Sequence, residues 1–139
     1  MNRTIHEIFE GLAAEHEFSE ALIFEDKLLN YKSLNERSNQ LAYYLRSNYQ
    51  IKPDDLVLIC LDRSEHILIS ILAVLKSGGA YVPVDPNHPD ERINYILKDT
   101  SAKIVITNEA NSHKFKNSII IDLFDYSSYP ASNLTNISK

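Results

Sequence analysis

Leu75-Lys76-Ser77-Gly78-Gly79-Ala80-Tyr81-Val82-Pro83-Val84-Asp85-Pro86 is the stretch that decides how this chain folds. Two of the three glycines in the sequence stand side by side in it. Gly78 can take the left-handed conformation that ends a helix without steric cost. Tyr81–Val84 then reads as a short strand, and Pro83 assigns it to a strand end or an open sheet edge. The stretch is a helix stop, a tight turn and a strand placed with little tolerance.

Upstream, Ser64 is a plausible N-cap for a helix over Glu65–Lys76. Ile67, Leu68, Ile69, Ile71, Leu72, Ala73, Val74 and Leu75 cover nearly the whole circumference of that helix, the pattern of a helix buried on all sides. Only one face is expected to be covered in a free-standing domain of this length, so part of its environment is expected to lie outside the chain. Before it, Leu56–Leu61 reads as a buried strand. Downstream, Pro89 at the first helical position, with Asp90 and Glu91 in the first turn, opens a helix that runs to Asp99. Ile93, Ile96 and Leu97 line its inner face, and Lys103–Thr107 reads as a strand. The order from Leu56 to Thr107 is therefore β-α-β-α-β, the pattern of a parallel sheet with helical crossovers.

The flanks are simpler. Thr4 with Glu7 forms a capping box ahead of a helix over Ile5–His16. Ala21–Phe24 and Leu28–Tyr31 read as a short hairpin around Glu25-Asp26-Lys27. Ser33 with Glu36 forms a second capping box, and Leu34, Leu41, Ala42 and Leu45 make one apolar stripe that ends near Tyr49. After Thr107 come a helical or irregular stretch, Asn108–Lys116, and a last apolar run, Ile119–Ile121. Residues 126–139, rich in Ser, Asn and Tyr, read as a loop or frayed tail.

Composition excludes several classes of function. The 139 residues fit one domain. A net charge of −5 with scattered basic residues argues against nucleic-acid or anionic-membrane partners. The single cysteine, Cys60, lies in an apolar run and reads as a small core residue in a reducing compartment. Glu7, Glu10 and Glu15 interrupt any signal-peptide core, and Ile67–Leu75 is about half of the ~18 residues a membrane span requires. A cytoplasmic location is expected.

Catalytic patterns are scarce. There is no G-x-G-x-x-G or G-x-x-x-x-G-K, and Gly78-Gly79 follows a helix instead of opening one, so the pair aims no helix N-terminus at a phosphate. His6, His16, His66, His88 and His113 do not pair at helical metal spacing. Ser64 lacks the glycine elbow of a nucleophile. Asp54-Asp55 precede their strand, whereas the acidic pair of a phospho-acceptor receiver follows its first strand. Asp62 and Asp85 leave the carboxyl ends of strands, where ligands of parallel sheets bind, although capping a turn before Pro86 accounts for Asp85.

Two stretches carry a family resemblance. Leu29-Asn30-Tyr31-Lys32-Ser33-Leu34-Asn35 is similar to L-[TS]-Y-x-E-L-N, with Asn30 for Thr or Ser and Ser33 for Glu. Leu75–Pro86 is similar to L-K-A-G-x-A-Y-V-P-[LI]-D-P, with Ser77 for Ala. These are the first two core motifs of the amino-acid adenylation domains of nonribosomal peptide synthetases, within the AMP-binding, adenylate-forming ligases. Asn35–Ala42 and Pro89–Ile93 resemble the same family, and the likeness runs from about Thr4 to Thr107.

The resemblance implies an α/β fold with a parallel βαβαβ core flanked by helices, preceded by a helix and a short β-hairpin. Residues 1–125 are expected to form an incomplete N-terminal subdomain. The parent reaction joins an amino acid to ATP, releases pyrophosphate, and passes the acyl group to a carrier-protein thiol. ATP, Mg and a phosphopantetheine carrier belong to that parent. The family's phosphate loop, substrate aspartate, ribose aspartate and mobile lysine lie beyond these two motifs, so no catalytic, cofactor-binding or metal residue is assigned. The implied partner is the remainder of an adenylation domain. The alternative is a non-catalytic interaction module, or a split-enzyme subunit, that binds a polypeptide or self-associates through helix 65–76.

Overall fold

A computed structural model describes residues 20–24, 27–62 and 65–133, with side chains from Tyr31 onward. The helix expected at Ile5–His16 and the cap expected at Ser64 lie outside the described residues. Strands β1 (Glu20–Phe24) and β2 (Lys27–Asn30) pair antiparallel, with Phe24 opposite Lys27. Tyr31 opens helix α1 (Tyr31–Tyr49) instead of ending β2. The helix therefore starts before Ser33, which falls inside its first turn and is not its cap. The stripe of Leu34, Leu41, Ala42 and Leu45 is fully buried.

The rest of the chain winds a four-stranded parallel sheet in the order β4-β3-β5-β6. Its elements are β3 (Leu56–Cys60), α2 (Glu65–Ser77), β4 (Ala80–Val84), α3 (Asp90–Thr100), β5 (Ile104–Thr107) and β6 (Ser118–Ile120). The βαβαβ core is present, and the last apolar run extends it by a strand. Pro89 sits at the N-cap of α3, one residue ahead of the expected first helical position.

Connections of one hand explain where the helices go. The chain steps from β3 to one edge at β4, then back across β3 to β5. Reversing the step with the same hand puts α2 and α3 on opposite faces. Alternate strand residues record this. Val57, Ile59, Ile104 and Ile106 share a core with α1 and α2, while Leu58, Cys60 and Val105 pack with Ile93, Ile96 and Leu97 of α3. Phe115, in the connection from β5 to β6, joins the α3 side, as a second step in the same direction requires.

Helix α2 is covered on more than the one face expected for a domain of this length. It lies between α1 and the sheet, with Ile69, Leu72, Ala73 and Val74 buried and Ile67, Leu68, Ile71 and Leu75 half-buried. The stripe of α1 supplies the second cover.

Residues 126–133 open with a short 3-10 turn, Tyr126–Ser128, continue without regular structure, and are tied down. Asn39 Nδ2 donates to Ala131 O at 2.8 Å, Gln40 Nε2 donates to Tyr129 O at 3.2 Å, and the Tyr129 ring meets Tyr44 edge-on at 5.3 Å and stacks on Phe124 at 5.9 Å. Of the stretch expected as a loop or frayed tail, residues 126–133 are docked on α1, and residues 134–139 lie outside the described residues.

Candidate functional site

The parallel register brings the carboxyl ends of β3, β4 and β5 together, with Cys60 beside both Val84 and Thr107. Asp62, Asp85 and Asn108 leave the sheet at this end. Asp62 Oδ2 accepts from Asn108 Nδ2 and Asn111 Nδ2, both at 3.2 Å. Asp85 Oδ1 accepts from Asn87 N at 2.8 Å, and His88 N donates to Asp85 O at 3.1 Å. Both carboxylates thus hold loops: Asp62 ties β3 to the turn after β5, and Asp85 makes the turn around Pro86.

Beside Asp85 an open cleft of ≈ 380 Å³ runs between the first half of α2 and the edge strand β4. Ile59, Leu61, Ile67, Ile71, Tyr81 and Pro83 form its wall, with Asp85 and His88 at the rim. The wall is apolar, and among these residues there is no nucleophile with a base beside it. The edge position of β4 agrees with Pro83, which cannot donate to a further strand on that side.

The glycine pair lies at the other end of β4. Gly78 has φ 99°, Gly79 N donates to Val74 O at 3.1 Å, and Gly78 N donates to Leu75 O at 3.1 Å. Those two bonds are the Schellman helix stop. A Cβ on Gly79 would come within 2.9 Å of both Asp55 O and Ile51 Cγ2, so the backbone is packed too closely at this corner for a side chain. The nucleotide phosphates and Mg of the parent reaction do not fit the residues described. The only paired glycines face away from the ligand end of the sheet, and no cluster of His, Cys, Asp and Glu suited to a metal occurs among the described residues. Cys60 is buried, and burial raises its pKa, which favours the unreactive thiol.

Two features had no signal in the sequence. The first is Lys76, 1 % exposed. Its Nζ donates to Asn35 Oδ1 at 2.7 Å, Ser38 Oγ at 2.8 Å and Asn39 Oδ1 at 2.8 Å, with Asn35 O at 3.3 Å. Arg46 Nη2 in turn donates to Lys76 O at 2.9 Å, which satisfies a carbonyl in the last turn of α2. The second is an aromatic cluster of Tyr44, Tyr49, Phe124, Tyr126 and Tyr129. Within it the Tyr126 pKa is pushed up to about 12, chiefly by burial. A lysine near a helix end ordinarily reads as a surface residue, and aromatics far apart in sequence show no period.

The AMP-binding enzyme family matches residues 9–134. The chain belongs to that family. Among its relatives is N-(5-amino-5-carboxypentanoyl)-L-cysteinyl-D-valine synthase of Amycolatopsis lactamdurans, 44% identical over 115 residues, which cover 83% of this chain and 3% of the synthase. Bacitracin synthase 2 of Bacillus licheniformis is 41% identical over 138 residues, 99% of this chain and 5% of that protein. In fold, the chain is similar to the nonribosomal peptide synthetase FmoA3, with a TM-score of 0.89 at 23% identity, covering 96% of this chain and 15% of that one. The N-terminal subdomain of Klebsiella oxytoca NpsA gives a TM-score of 0.81 at 25% identity, covering 96% of this chain and 35% of the subdomain. This AMP-binding family member therefore spans a small part of its curated relatives. In it the two resembling motifs touch: Asn35 closes the first, and Lys76 of the second is seated on it.

Proposed function

We propose that this chain is the N-terminal structural unit of an amino-acid-activating adenylation domain. It supplies the parallel sheet and the paired helices α1 and α2, and it does not form the aminoacyl-adenylate by itself. The observation that carries this reading is the use made of the two motifs. Lys76 of the second is seated on Asn35 of the first, Gly78-Gly79 stop the helix, and Asp85 holds the turn that follows β4. ATP, Mg and the phosphopantetheine carrier would be handled by residues outside this chain.

The proposed partner is the remainder of the adenylation domain, meeting this unit over the apolar cleft between α2 and β4. Self-association through helix 65–76 is the competing reading. It is less favoured, because α1 already covers most of that helix. ATP–pyrophosphate exchange with each proteinogenic amino acid tests the main reading. The expected result is no exchange above a protein-free blank, and sustained turnover by the 139-residue chain overturns it. Light scattering tests the competing one: a monomer mass is expected, and a stable dimer favours self-association.

A further inference from the structure

We propose that Lys76 is a latch that reaches the far end of the described chain: it fixes the amides of Asn35 and Asn39 so that both hold residues 131–133 against α1. An ammonium has three donors and no acceptor. Among the described residues, the three shortest contacts of Lys76 Nζ are to oxygens: Asn35 Oδ1, Ser38 Oγ and Asn39 Oδ1. Each asparagine must therefore turn its oxygen to the lysine and its NH₂ away from it. That orientation follows from the chemistry of the ammonium.

The outward NH₂ groups converge on one segment. Asn35 Nδ2 donates to Asn133 Oδ1 at 3.0 Å, across 98 residues of sequence. Asn39 Nδ2 donates to Asn133 Oδ1 at 2.9 Å and to Ala131 O at 2.8 Å. The Asn39 amide is thus fully used, its oxygen by Lys76 and its two N–H groups by the segment. Asn39 is fully buried, so an NH₂ turned the wrong way there would leave donors and acceptors facing their own kind. Lys76 touches neither Ala131 nor Asn133 in any of these bonds; it acts through the amides, as a positioning residue.

Residues 124–129 are held differently, by the rings of Tyr44, Phe124 and Tyr129 and by Gln40 and Asn48. This second anchor owes nothing to the lysine, and it provides an internal control. The latch rests on the bonds themselves and does not depend on the proposed function.

Backbone amide order parameters from ¹⁵N relaxation of the whole chain test it. In the parent protein, residues 131–133 are expected near the rigid level of about 0.85. Lys76→Met removes the ammonium, and the order parameters of 131–133 are expected to fall below about 0.6 while those of 124–129 and of β3 stay rigid. Asn39→Asp keeps an acceptor for Lys76 but has no N–H to give, so it is expected to release 131–133 with the fold retained. Asn133→Asp keeps the acceptor and is expected to leave the segment ordered. If Lys76→Met does not fold, Asn39→Asp decides. Residues 131–133 staying rigid in Asn39→Asp, or 124–129 loosening equally with them, overturns the latch.

Discussion

The two ends of α2 are built to different standards. At its C-terminal end every group is accounted for: Lys76 sits on its oxygens, Arg46 caps the last carbonyls, and Gly79 has no room for a methyl group. At its N-terminal half, Ile67 and Ile71 are half-buried and wall an open cleft. One helix thus shows both a joint closed by this chain and an apolar face left open by it. The difference teaches that near-continuous apolarity in a sequence does not say which side is sealed at home.

The largest expected effect tests that contrast directly. Leu72→Ala, on the sealed side, is expected to cost about 2–5 kcal/mol by urea denaturation, the range for a buried leucine cut to alanine. Ile67→Ala, on the cleft wall, is expected to cost about 1 kcal/mol, because a half-exposed side chain loses little transfer energy. Equal losses would mean that both halves of α2 are equally enclosed.

Next in size is the corner itself. Gly79→Ala is expected to cost about 1–3 kcal/mol, since the added methyl meets a backbone oxygen, Asp55 O, that cannot swing aside. A neutral result in the same denaturation series would show that the joint is looser than its 2.9 Å contacts state.

The smallest effect sharpens the same corner through pH. Asp55 Oδ2 accepts from Lys52 N at 2.8 Å and from Lys103 Nζ at 3.2 Å. The Lys52 amide, then Lys103, hold its carboxyl below the ordinary 3.8. A depressed carboxylate contributes stability that is complete above its unfolded pKa and lost as pH falls through the folded one. Asp55→Asn is therefore expected to melt below the parent protein at pH 7, with the gap closing once pH drops beneath 3.8. A gap that persists unchanged into strong acid would assign the effect to shape and not to charge.

Much of the fold was legible beforehand because it is written locally. Apolar period separates the strands from the helices, Gly78 marks the helix stop, and Pro83 marks β4 as an edge. The start of α1 was misplaced because the capping box at Ser33 is a local signal, whereas the helix begins at Tyr31, directly where β2 ends. The roles of Asp62 and Asp85 as loop ties depend on partners that no spacing rule names, although a turn at Asp85 was foreseeable from the proline that follows.

By itself the sequence determined the element types, the βαβαβ order and, through two motifs, the family. Those depend on neighbours within a few residues. The tertiary structure alone decided that β6 joins the sheet, that α1 covers the second side of α2, and that Lys76 is buried where a surface lysine was the ordinary reading. Each of these rests on groups brought together from far along the chain, as Asn35 and Asn133 are across 98 residues, and a local pattern carries no record of such a meeting.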